Sequence, residues 1–129
     1  MLGELSEREV DKVLYGEQLG RIGCHADGVT YVVPVSYVYD GTHIYALSGE
    51  GMKVRMMRKN PKVCFEVEHV ERWYHWRTAI VWGTFEELRD EEAERAYHLL
   101  HTRLTPLVEF ESRASSETLI GRASCRERV

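Results

Sequence analysis

The chain has 129 residues, 43% of them apolar and 29% charged, and carries a formal net charge of −4. That is material for one domain with a single core, which excludes a two-domain arrangement. No apolar run approaches the ~18 residues that span a bilayer, residues 1–4 do not read as a signal peptide, and the acidic sum argues against non-specific nucleic-acid binding, so a cytoplasmic protein with no membrane or nucleic-acid partner is expected.

In chain order, Ser6 followed three residues later by Glu9 is a capping-box pattern, and Leu5, Val10, Val13 and Leu14 recur on one face, which predicts a short amphipathic helix within residues 4–14. Residues 19–25 read as a glycine-containing strand, and Ala26-Asp27-Gly28 as the turn that folds it onto the next strand. From Thr30 to Tyr39 nearly every residue is β-branched or aromatic, so both faces of that strand are expected to be covered. Pro34 interrupts it. Lacking an N–H, it implies an edge, a bulge or a place where something other than a neighbouring strand meets the backbone. Asp40-Gly41 suits a two-residue hairpin loop, and residues 42–47 complete a three-stranded meander.

The passage Ser48-Gly49-Glu50-Gly51 then opens a run containing Lys53, Arg55, Arg58, Lys59 and Lys62, with no acid between Gly51 and Phe65. At about 100° per residue on a helix, Arg55, Arg58 and Lys59 share one face and read as solvated charge, while Lys53 falls among Met52, Met56 and Met57. Lys53 is therefore the odd cation. It stands in the first turn, where free N–H groups and the helix dipole favour an anion, and a bound phosphate would account for it. Ser48 is a candidate N-cap for the same helix, a role compatible with phosphate binding.

Asn60-Pro61 ends that helix. Residues 63–68 alternate as a strand, residues 69–75 read as a polar connection, and residues 76–88 form a fifth strand with Gly83 as a bulge or close-approach point. Asp90 caps a helix running to Arg103, with acids early and cations late as the dipole favours, and Thr105-Pro106 closes it. Residues 120–129 are half charged or small and show no period. They resemble a translated sequencing adapter, so they are expected to be a non-native tail, leaving a domain of residues 1–119 that is incomplete at its C-terminus.

Cys24 and Cys64 read as reduced, buried strand residues, and Cys125 belongs to the tail; the three are not spaced as a metal site or disulfide framework. His98 and His101 read as last-turn cations, so no metal is expected. No acid, base or nucleophile occupies a position that marks it as catalytic.

These elements describe a mainly β protein with helices, a small antiparallel barrel with helices at its openings. Arg21-Ile22-Gly23, the run YVVPVSYVYDG, the passage SGEGMK, the segment RKNPKVCFEVE and the later WRTAIVWG together resemble the pyridoxamine 5′-phosphate oxidase-like FMN-binding split-barrel family, in its small nitroimidazole-resistance-like branch. The resemblance spans roughly residues 4–107. It implies an antiparallel split β-barrel that binds FMN at a homodimer interface, with Val33, Pro34, Val35, Ser36 and Tyr37 along the isoalloxazine edge and Ser48, Gly51, Met52 and Lys53 at the ribityl phosphate. It also implies that the segment containing Trp76, Thr78 and Trp82 closes over the flavin, from the other subunit in one version.

Relatives in that branch often carry histidine where Leu47 stands and arginine where Met52 stands, which leaves Lys53 more alone at the phosphate. The implied activity is an FMN-dependent oxidoreduction of a small molecule, nitroreductase-like or oxidase-like. A non-catalytic flavin- or haem-binding barrel for storage or sensing is the alternative, with His25 or His75 as the axial ligand that haem would need. A barrel module without cofactor, using the Arg55, Arg58 and Lys59 face on an acidic partner or RNA, is a third reading.

Overall fold

The structure, a computed structural model, describes residues 3–104, 118–124 and 127–128. Its elements are α1 (Glu7–Gly16), β1 (Leu19–Ala26), β2 (Val29–Tyr39), β3 (His43–Gly49), α2 (Met52–Lys59), β4 (Lys62–Arg72), β5 (His75–Leu88), α3 (Asp90–Leu104), β6 (Thr118–Ser124) and β7 (Glu127–Arg128). The expected helix stop at Thr105-Pro106 and the stray Cys125 lie outside the described residues.

All strand pairings are antiparallel, in the order β4-β1-β2-β3-β6-β5-β7, and a further pairing of β4 with β5 closes the ring into a barrel. The expected split-barrel architecture is what the chain adopts. The split has a definite position. Tyr37, Val38 and Tyr39 of β2 oppose Ala46, Tyr45 and Ile44 of β3; continuing that register would set Ser36 against Leu47 and Val35 against Ser48, but the residue pairing stops. Back from there to Val29, among the described residues β2 is partnered only by β1.

Pro34 lies in this half, opposite Arg21. The Tyr37 N–H donates to the Gln18 carbonyl at 3.0 Å, so by ladder alternation the odd-numbered residues of β2 turn their backbone groups toward β1 and Pro34 turns its nitrogen to the open side. The proline therefore sits on an edge, at no cost to the ladder.

The barrel interior is filled by alternate residues of four strands and by α1: Val35, Tyr37 and Tyr39 from β2, Phe65 and Val67 from β4, Ala79 and Val81 from β5, and Ile44 from β3, with Val10, Val13 and Leu14. The helix begins with the anticipated capping box, Ser6 Oγ accepting from the Glu9 N–H and Glu9 Oε1 from the Ser6 N–H. Gly20 is required by close approach, since a Cβ there would lie 2.4 Å from Cζ of Phe65. A second cluster packs Val54, Met56 and Met57 of α2 on Cys24 and Ala26, and a third packs Ala96, Leu100 and Leu104 of α3 on Val38 and Leu88.

Several local expectations need correction. The β2–β3 loop is three residues long, because the Asp40 carboxylate accepts from the N–H groups of both Thr42 and His43 and so stabilises a wider turn; Gly41 takes φ 103° and Asp40 does not need a positive value. The β1–β2 turn does place Asp27 and Gly28 at φ 52° and 77°. Residues 69–75 are not a polar connection but the extension of β4 and β5 into a hairpin turning at Trp73-Tyr74, whose solvated strands show no buried alternation to read. Gly83 carries no bulge; the register shift lies between Val70 and Arg72, and Gly83 instead precedes the point where β5 leaves β4, at Thr84, for β6, at Phe85. Residues 120–124 pair in β6 with β3 and β5, and Glu127–Arg128 pair with β5 as β7. A strand position asks only for backbone donors and acceptors, which a segment without hydrophobic period still supplies.

Candidate functional site at the split

Where β2 and β3 part, the open edge of β2 around Val33, Pro34, Val35 and Ser36 faces away from β1, and the end of β3 runs through Ser48 to Gly51 into α2. The register thus brings two stretches of the expected site, residues 33–36 and 48–53, to the two sides of one opening. Tyr37 differs. Its ring is fully buried against Phe65 and its hydroxyl donates to the Leu14 carbonyl at 2.7 Å, so its side chain is committed to the core; burial, and secondarily Glu17, push the phenol well above its ordinary value.

α2 starts at Gly51, whose extended backbone provides the cap position without a side-chain hydrogen bond. Ser48 is not the cap: its hydroxyl donates to the Gly49 carbonyl at 3.0 Å. No acid stands in the first turn of α2. Lys53 is half-buried there, with no hydrogen bond or ion pair to any described residue. Its charge reaches Cys24: burial raises that thiol's pKa, and Lys53 pulls in the opposite direction. Met52 beside it is exposed.

The remaining basic face is exposed at Arg55, Arg58 and Lys59, as expected, and two of its members are also tethered. Arg58 binds Glu50 and Glu87, and Lys59 reaches Asp27 at 2.6 Å. Spacing on one helix cannot show partners that lie 29 and 32 residues away.

Trp76, Thr78 and Trp82 sit elsewhere, at alternate positions on the outward face of β5. Trp82 lines a shallow groove of about 770 Å³ across β1, β2, β4 and β5, together with exposed Val32 and with Cys64. Arg21 and Glu66 lie along its floor, their charges 3.7 Å apart, and Oε1 of Glu66 is buried without a hydrogen-bond partner. Burial, then the neighbouring Glu68, raise the Glu66 pKa against the pull of Arg21. Beyond this face the β4–β5 hairpin presents Val70, Trp73, Tyr74 and Trp76 to solvent, Trp73 at 85% exposure. The groove and the tip escaped sequence reasoning, although an apolar residue out of phase with the core, such as Val32, is the signal that could have marked them.

Among the described residues no cluster of histidine, cysteine and carboxylate side chains is arranged to hold a metal ion, and no helix is long and apolar enough to cross a membrane. His25 pairs with Thr30 and His75 with Glu71.

An antiparallel barrel opened between β2 and β3 defines the class of protein. The particular family follows from comparison: residues 6–126 match the family model described as pyridoxamine 5′-phosphate oxidase, and the chain belongs to that family. A FAD-binding protein from Mesorhizobium loti is 30% identical in sequence, with a TM-score of 0.83 over 96% of this chain and 92% of the other. The haem storage protein of Vibrio cholerae, at 11% identity and a TM-score of 0.79 over 95% of this chain and 92% of its own, shares the fold. An uncharacterized protein of Rhizobium meliloti (strain 1021) is 32% identical over 84 residues, 65% of this chain; the match covers 56% of that relative.

Proposed function

We propose that this chain is an FMN-binding flavoprotein that works as a homodimer, with the flavin held at the β2–β3 split and the outer β1-β2-β4-β5 face covered by the second copy. The observation that carries the reading is the split itself: a strand edge left open at Pro34 opposite a helix start with no cap side chain, no acid in its first turn and a half-buried lysine lacking a counter-ion among the described residues. A ring system with hydrogen-bonding edges suits the first side and a phosphate suits the second. The Mesorhizobium loti relative, described as FAD-binding, supports a flavin; the single half-buried lysine favours one phosphate, hence FMN.

The dimer is supported by the apolar groove with exposed Val32 and Trp82, an outer face of the kind that marks an interaction surface. Trp82 lies on that face, with Thr78 and Trp76 further along the outward side of β5, and the three would approach the flavin from the partner. When bound, the flavin supplies hydride or single-electron chemistry, and the residues of this chain hold and orient it. The proposed activity is oxidoreduction of a small molecule. Haem binding has less support, because His25 and His75 are engaged with Thr30 and Glu71 and neither belongs to the split.

The test is the visible spectrum of the purified protein, followed by titration with FMN, FAD and riboflavin and by sedimentation. Flavin bands with FMN bound most tightly by a dimer are expected. A protein that takes up no flavin, or that shows a Soret band instead, overturns the proposal. Turnover of NADH or NADPH with nitro or quinone acceptors then separates an enzyme from a carrier.

A further inference from the structure

Glu50 immediately precedes the cap residue of α2, at the mouth of the split, and its carboxylate does not turn toward the helix start. Arg58, in the last turn of the same helix, holds both of its oxygens, with Nη2 at 2.7 Å from Oε1 and Nη1 at 3.2 Å from Oε2. The guanidinium is itself fixed from β5: its Nε donates to Oε1 of Glu87 at 2.5 Å, and the other oxygen of Glu87 accepts from Arg89 at 3.2 Å. Such a planar two-point grip fixes direction as well as distance.

The other helices behave differently. α1 opens with Glu7 and Glu9 and α3 with Asp90, Glu91 and Glu92, as the positive end of a helix favours. Among the described helices only α2, about 12 Å long for its eight residues, has the acid nearest its start held by a cation from its last turn.

We infer that Arg58 is a positioning residue for the cofactor phosphate: by holding the Glu50 carboxylate away from the split it keeps that acid from competing with, and repelling, the anion beside Lys53. This rests on the FMN reading above. It assigns to Arg58 a role that acts through Glu50, not through general positive charge.

Binding of FMN and of riboflavin, which lacks the phosphate, is to be measured for the wild type and for Arg58→Met, Lys59→Met, Glu50→Gln and the double variant Glu50→Gln/Arg58→Met, each checked by thermal melting. Arg58→Met is expected to weaken FMN about tenfold, or ~1.4 kcal/mol, and to leave riboflavin within about twofold. Adding Glu50→Gln is expected to restore FMN binding to within about threefold of the wild type. Lys59→Met removes a charge from the same helix without freeing Glu50, and no change in FMN preference is expected.

Equal losses in Arg58→Met and Lys59→Met, or no rescue by Glu50→Gln, overturn the inference while leaving flavin binding intact. Should Arg58→Met not fold, the single variant Glu50→Gln decides: FMN binding equal to or tighter than wild type supports the inference, and a loss of about tenfold overturns it. A wild type that binds neither flavin refutes the FMN reading and this inference with it.

Discussion

The two halves of β2 are one continuous strand with opposite surroundings. Tyr37, Val38 and Tyr39 are paired on the β3 side and buried, and their side chains are fully used: Tyr37 on Phe65 and the Leu14 carbonyl, Val38 beneath α3, Tyr39 on Tyr15 and Asp11. Val33 to Ser36 keep β1 but lose β3, and Val32, Pro34 and Ser36 stand exposed. The same residue types therefore serve stability in one half and remain available in the other. A binding site needs backbone that the fold has not already consumed, and in this barrel the loss of one strand partner provides it.

That contrast predicts that damage to the two halves separates into lost stability and lost binding. The largest effect is expected from Tyr37→Ala, which empties the core against Phe65 and leaves the Leu14 carbonyl unpaired, lowering stability by about 3–5 kcal/mol in a denaturant titration. A loss under about 1 kcal/mol would mean that the paired half is not the structural half. Next comes Lys53→Ala, expected to weaken FMN by about 1.5–3 kcal/mol as the loss of a charged hydrogen bond, with riboflavin binding and the melting temperature little changed. Equal weakening of both flavins would place Lys53 away from the phosphate.

Pro34→Ala is expected to be smaller, costing about 0.4–1 kcal/mol through the freer unfolded chain, because the restored N–H faces the open side. A gain in stability would show instead that a ladder acceptor had been waiting for it. The smallest effect concerns the outer face. Glu66 has a folded pKa raised above its ordinary 4.5, so its charged form costs stability above that window and the cost disappears as pH falls through the raised pKa toward the unfolded value. Glu66→Gln is accordingly expected to melt slightly higher than wild type at pH ~7, with the gap closing toward pH ~4.5. A gap independent of pH would remove the electrostatic explanation.

The site was partly legible. Lys53 stood out because a lysine in the first turn of a helix contradicts the dipole, and Pro34 because a proline contradicts a strand interior; both are local conflicts, visible without a fold. Ser48 was misread because residue type marks a possible cap while only backbone geometry decides where the helix starts, here at Gly51. Arg58 is exposed as the helix spacing implied, but its ion pairs were not legible, because its partners come from the preceding loop and from β5.

From the sequence come the kinds and order of most elements, the capping box at Ser6 and Glu9, the helix stop at Asn60-Pro61 and the Asp27-Gly28 turn, since each depends on periodicity or on chemistry within a few residues. Tertiary structure alone decided that β2 meets β3 from Tyr37 onward and not before it, that Trp82 and Val32 share an outer groove, and that Glu50 is held by Arg58. Those are relations between distant segments, set by how a twisted sheet closes on itself, and no local pattern encodes which strand edge the closure leaves open.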